Sequence, residues 1–172
     1  NCATCTSTTE LKAIFLIRDP IRDDATSALH DAHAAGVRTV MVTGDHPATA
    51  RRIAQDVGLA PGDPQVMTGD ELARLDDAHL QERIPSINIF ARVTHAQKIR
   101  IVRAWQECGA VVGVTGDGVN DAPALVGADV GIAMGKRGTD VARESSEMVL
   151  ADDNFATIIN AKEEGRIVFN NT

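Results

Sequence analysis

Short β-branched runs alternate with helix-patterned stretches along almost the whole chain, and this alternation limits the fold more than any other feature. Residues 13–17 (AIFLI) are continuously apolar, the pattern of a strand buried on both faces. Residues 37–42 (VRTVMV), 87–90 (INIF), 110–114 (AVVGV), 129–133 (DVGIA) and 148–150 (MVL) read as further strands. A helix is expected over 21–35, with Asp23 and Asp24 in its first turn and Gly36 just past its end. Another is expected over 46–57, where Pro47 suits the first helical position and Gly58 the stop. Residues 61–65 form a looser stretch, and the capping box of Thr68 and Glu71 then opens a short helix. Thr94 and Gln97 cap a helix ending near Gly109, with Ile99, Val102 and Trp105 on its buried side. Short helices follow over 122–126 and 140–145, and Asp152, Asp153 and Asn154 cap a last helix running to the C-terminus. Strands joined through helices must run parallel, so the expected fold is α/β, a Rossmann-like parallel sheet flanked by helices.

Composition removes several functions. At 172 residues and 18.3 kDa the chain suits one domain. A net charge of -7 and aromatics at 3 % argue against a nucleic-acid partner or a base-stacking platform. No apolar run approaches the ~20 residues of a membrane span. No secretory leader is recognisable, and the expected compartment is cytosolic. Cys2 and Cys5 make a CxxC with no second pair, and Cys108 is expected to be a reduced core thiol. His30, His33, His46, His79 and His95 show no metal-ligand pattern and read as surface or cap residues.

Open parallel sheets bind ligands beyond the carboxyl ends of their strands. Two strands here end in one signature, Thr43-Gly44-Asp45 and Thr115-Gly116-Asp117. Each brings a hydroxyl, a glycine and a carboxylate to that edge, and backbone N–H groups of such turns can cradle phosphate oxygens. The second signature extends through Gly118, Val119 and Asn120 to Asp121, crowding two carboxylates and an amide oxygen into one loop. Oxygen donors of this kind suit Mg²⁺ bridging to phosphate, and like charges so close call for a cation. A lone Gly-Asp would be a turn or cap, but a whole GDGVNDAPAL run after an apolar strand points to a site. Lys98, in the first turn of its helix, is either a solvated lysine or one that neutralises phosphate or carboxylate charge.

The strings MVTGDHPATARRIA, ARVTHAQKIRIV, TGDGVNDAPALVGADVGIAMGKRGTDVARESSEMVLADDNFATII and EEGRIVFNN closely resemble the phosphorylation domain of P-type cation-transporting ATPases, within the haloacid dehalogenase-like superfamily. The tail resembles the calcium and sodium/potassium pump branch more than the heavy-metal pumps, which tilts the expected ion towards Ca²⁺ or another light cation. The resemblance implies that Thr43 hydrogen-bonds phosphoryl oxygens, with Gly44 and Asp45 shaping that side of the site. Lys98 would offset charge around an aspartyl phosphate. Asp117 would bind Mg²⁺, with Asn120 and Asp121 completing the phosphate and metal shell, and Arg92 would face ATP. It also implies three regions. Residues 1–11 are a segment of uncertain role, 12–160 the phosphorylation domain, and 161–172 the start of a stalk helix. Expected partners are the nucleotide-binding and actuator domains and the transmembrane helices of a parent pump. That parent would lie in the cell membrane, with this domain on the cytosolic side.

The chain departs from the family pattern in one respect that matters. The family's nucleophile is the aspartate of a DKTGT motif, and no DKTGT occurs here. The nucleotide-binding insert and membrane helices of a full pump are also lacking. The expected account is a piece of a longer parent, inactive alone. Two alternatives compete: a stand-alone phosphatase and a non-catalytic Mg²⁺-binding module. The phosphatase would need a DxD-type nucleophile. Asp19 follows the run at 13–17, but Asp19-Pro20-Ile21 lacks the second aspartate.

Overall fold

A computed structural model describes residues 12–13, 21, 24–60 and 62–171. The expected strand at 13–17 and the N-terminal segment, with Cys2 and Cys5, fall almost entirely outside these residues. The described elements are α1 (Ala25–Ala34), β1 (Met41–Val42), α2 (Pro47–Asp56), β2 (Val66–Thr68), α3 (Gly69–Arg74), α4 (Asp77–Arg83), β3 (Ile89–Ala91), α5 (His95–Glu107), β4 (Gly113–Gly116), α6 (Ala122–Gly127), β5 (Val130–Met134), α7 (Asp140–Glu144), β6 (Met148–Leu150) and α8 (Ala156–Asn170). Single 3-10 turns at Ile84–Ser86 and Val119–Asp121 join α4 to β3 and β4 to α6.

The strands make two three-stranded sheets, ordered β1-β3-β2 and β4-β5-β6. Every pairing is parallel. Met41 faces Ile89 and Thr68 faces Ala91 in the first sheet; Gly116 faces Ala133 and Met134 faces Leu150 in the second. The central strand of each is apolar on both sides because helices cover both. Phe90 packs with Met67, Leu72, Leu80 and Ile101 towards α3, α4 and α5, whereas Ile89 and Ala91 pack with Ala50, Ala54 and Leu59 towards α2. In the second sheet Ala133 meets Leu125 and Ala142, and Ile132 and Met134 meet Leu150 and Ile158 of α8. The strand's period of two thus sorts alternate residues onto opposite helical layers.

Local chemistry explains most of the boundaries. The capping boxes at Thr68/Glu71 and Thr94/Gln97 both form, and His46 Nδ1 accepts from Ala48 N at the start of α2. Several expectations need correction. The strand expected over 37–42 pairs only at Met41–Val42, and the one expected over 110–114 shifts to Gly113–Gly116. β2 and α4 were not expected; β2 exists because its backbone completes β3, not because of any pattern of its own. On α5, Ile101, Val102 and Ala104 are the buried residues, while Ile99 and Trp105 flank them half-buried. Cys108 is an exposed free thiol at the C-cap of α5, not a core residue, because the helix ends there and its sulfur points to the Gln81 carbonyl at 3.7 Å. Asn154 does accept from Ala156 N, at 2.9 Å, but Asp153 turns away from α8 to a loop after β5. Among the described residues no helix is long and apolar enough to cross a membrane.

Candidate functional site

The carboxyl end of β1 runs straight into Thr43-Gly44-Asp45. Backbone bonds stitch this turn to the end of β3: Thr43 N donates to Phe90 O at 2.9 Å, Val93 N to Thr43 O at 3.2 Å, and Arg92 N to Asp45 O at 3.0 Å. Within the turn, Thr43 Oγ1 donates to Asp45 Oδ2 at 3.0 Å and accepts from Asp45 N at 3.1 Å. The hydroxyl is therefore held in place by its own turn, and reaching a ligand oxygen requires it to release Asp45.

The carboxyl end of β4 makes the second turn. Its main chain is tied to α7, since Thr139 N donates to Asp117 O at 2.8 Å. The 3-10 turn then folds Asp121 back over Gly116, so closely that a Cβ on Gly116 would lie 2.7 Å from Asp121 Cβ. Only glycine permits that approach. Asp121 Oδ2 faces Gly118 N at 3.4 Å, and Asp121 Oδ1 takes a hydrogen bond from Lys98 Nζ at 2.7 Å. The two side chains are 20% and 18% exposed. A lysine in the first helical turn gains nothing from the helix dipole, and Asp121 is the charge that offsets this.

Between the two strand ends lies a cleft of about 320 Å³. Lys98, Asp117 and Asp121 line it, with Val42, Thr115 and Arg137. The structure thus brings three of the sequence-picked residues onto one wall set, with Thr43 one residue beyond Val42. Gly44, Asp45, Arg92 and Asn120 are exposed and are not part of the cleft lining. Arg92 sits at the end of β3 with φ 52. Arg137 is the charged lining residue that sequence reasoning passed over, beside the apolar Met134 and Phe155; a Lys-Arg pair between two glycines reads as an ordinary solvated turn.

Mg²⁺ commonly takes one or two carboxylates, keeps several waters and accepts phosphate oxygens as remaining ligands. Asp117 and Asp121 offer that donor type. Among the described residues no group of three or more His, Cys, Asp or Glu is gathered to hold an ion by itself. The donor set therefore fits a hydrated ion shared with a phosphate, and does not fit an all-protein cage. With Lys98 and Arg137 opposite two carboxylates, the cleft walls are balanced in formal charge and can take a cation and an anion together.

Comparison with known proteins gives a consistent result. A family model described as a haloacid dehalogenase-like hydrolase matches residues 3–129. A calcium-transporting ATPase of Listeria monocytogenes is 48% identical over 153 residues, covering 89% of this chain and 17% of the relative. A cation-transporting ATPase of Synechocystis is 53% identical over 154 residues, again covering 89% and 17%. The chain thus spans 17% of the length of these curated relatives. A crystal structure of a zinc-transporting PIB-type ATPase in the E2.Pi state superposes with a TM-score of 0.69 at 29% identity, covering 90% of this chain and 21% of that one. The parallel α/β architecture and the match over 3–129 agree: the chain belongs to the haloacid dehalogenase-like hydrolase family.

Proposed function

We infer that this chain serves as the phosphorylation domain of a P-type cation-transporting ATPase, a membrane pump that couples ATP hydrolysis to ion transport. The observation that carries this reading is the meeting of Lys98, Asp117 and Asp121 in one cleft at the strand ends. The similarity to calcium- and cation-transporting ATPases supplies the class of reaction. In such a pump an aspartate carboxylate attacks the γ-phosphate of ATP, the bond to ADP breaks, and water later hydrolyses the aspartyl phosphate. That nucleophile has no DKTGT counterpart in this chain.

The transition state asks for positioning and charge neutralisation more than for acid–base chemistry. Asp117 and Asp121 would hold Mg²⁺, which supplies positive charge to the transferring oxygens. Lys98 neutralises Asp121 across 2.7 Å and would donate to a phosphoryl oxygen, while Asp121 would help hold Mg²⁺. Thr43, freed from Asp45, would orient another oxygen. Gly44 and Asp45 would shape the Thr43 side of the site, Asn120 would complete the phosphate and metal shell, and Arg92 would meet the nucleotide from the end of β3. The nucleotide-binding and actuator domains and the transmembrane helices of the pump are the proposed partners, with this domain on the cytosolic side. Ca²⁺ is the proposed ion, in line with the names of several relatives.

The test is a Mg²⁺ titration of the ¹⁵N-labelled chain followed by NMR. Shifts should concentrate at residues 116–121 and vanish in Asp117→Asn. No shift there, or the same shift in the variant, contradicts the reading. Incubation with labelled ATP and Mg²⁺ should leave the isolated chain unlabelled; a hydroxylamine-labile label would show that it carries its own nucleophile.

A further inference from the structure

The loop after β5, Gly135-Lys136-Arg137-Gly138, is built more tightly than a surface turn requires. Gly135 N donates to Leu150 O at 2.9 Å and Gly138 N to Met134 O at 3.1 Å. A Cβ on Gly138 would stand 2.0 Å from Met134 O, so the chain can close there only through glycine. Arg143 donates to the carbonyls of both glycines. Behind the loop, Asp153 is 4% exposed and holds φ 58, a left-handed conformation that costs a non-glycine residue energy. Its carboxylate accepts from Lys136 N at 2.9 Å and from Arg137 N at 3.0 Å. A buried carboxylate spent on two successive amides fixes the direction in which the next side chain leaves.

That side chain is Arg137, and it enters the cleft beside Lys98, Asp117 and Asp121. Lys98 is committed to Asp121 at 2.7 Å. No described residue accepts a hydrogen bond from the Arg137 guanidinium. Among the described lining residues it is thus the cation whose fork makes no hydrogen bond, although its charge is felt by the Asp153 carboxylate behind the loop, and that planar fork matches two phosphate oxygens at once. Mg²⁺ on Asp117 and Asp121 would offset those two carboxylates, and a phosphate then brings negative charge of its own, which Lys98 and Arg137 together are better able to meet than Lys98 alone.

We propose that Arg137 is a phosphate-binding residue of this cleft, contacting phosphoryl oxygens alongside Lys98, and that Asp153 is the positioning residue that aims it. This rests on the magnesium–phosphate reading of the cleft above. Asp153 holds the loop through its amides, and its carboxylate also feels the charge of Arg137. The arrangement also ties the phosphate to α7, since the same loop runs into Thr139, whose N–H reaches Asp117 O.

The experiment is a titration of the chain with inorganic phosphate at saturating Mg²⁺, read by NMR, beside a titration with Mg²⁺ alone. Arg137→Gln should weaken phosphate about tenfold, the loss expected for one charge-assisted contact. Arg137→Lys should recover most of it, and Mg²⁺ shifts at Asp117 should be the same in all three proteins. Asp153→Asn should weaken phosphate as Arg137→Gln does while Mg²⁺ affinity stays put; if that variant unfolds, the two Arg137 variants decide alone. Equal phosphate affinity in the wild type and Arg137→Gln, or no phosphate binding by the wild type, overturns the proposal while normal Mg²⁺ shifts leave the cleft reading intact. Absence of Mg²⁺ shifts in the wild type overturns both.

Discussion

Lys98 and Asp121 are each about four-fifths covered, and each is the other's counter-charge across 2.7 Å. Truncating one partner leaves the other charge partly desolvated. Lys98→Ala should therefore cost about 1–2 kcal/mol, between the values for exposed and fully buried pairs, measured by urea denaturation. No loss of stability would mean the pair is solvated. Gly116→Ala places a methyl against Asp121 and should cost about 1–3 kcal/mol while displacing that carboxylate. Its signature is a combined loss of stability and of Mg²⁺ shifts; a fully stable variant with normal shifts would contradict the close approach. These residues were legible in the sequence because glycine, carboxylate and strand end fall within a few positions of one another. Arg137 was not, because its meaning comes from Asp153, sixteen residues away and on the far side of β6.

Helix ends were the most legible elements, since a cap is a local event. Thr94 Oγ1 accepts from Gln97 N while Gln97 Oε1 accepts from Thr94 N, and Gln97 Nε2 reaches on to Gly69 O at 2.7 Å. Thr94→Ala should cost about 1 kcal/mol in thermal or urea unfolding. It should also loosen Lys98, one residue past the capping box, so the Lys98 ammonium exchange rate should rise; an unchanged rate would show that Asp121 alone fixes the lysine. Strands were less legible. β1 and β2 are two and three residues long, and such lengths carry no readable alternation. β2 is specified by its pairing with β3, a contact remote in sequence. Cys108 looked like core because its neighbours are apolar, yet it lies past the last buried turn of α5.

Across the whole molecule, acid stability is set by carboxylates that cap and clamp the backbone. Asp153, Asp152, Asp129, Asp76 and Glu71 are all held below the ordinary carboxylate range, each chiefly by a backbone N–H, from Lys136, Asn154, Val112, His79 and Thr68 respectively. Their folded values are depressed, so their contribution is complete above the unfolded pKa of about 4 and disappears as pH falls through the folded values. His79 has the opposite sign: its bond to Asp76 raises it, and that contribution fades as pH climbs past its folded value, above 6.5. The melting temperature should stay level from about pH 5 to about 6.5, slip slightly above that as His79 loses its proton, and fall steeply below pH 4, less steeply in Asp153→Asn. A melting temperature that rises on acidification below about pH 5 would contradict this. The two sheets themselves matter to function through one consequence: Val42 at the end of β1 and the turn after β4 line a common cleft. The most direct measurement of that claim is a crystal structure of the chain grown with Mg²⁺ and inorganic phosphate. The account predicts a cation about 2.1 Å from an Asp117 carboxylate oxygen, bridging to a phosphate within hydrogen-bonding reach of Lys98. A cation bound elsewhere, or a phosphate remote from Lys98, would contradict it.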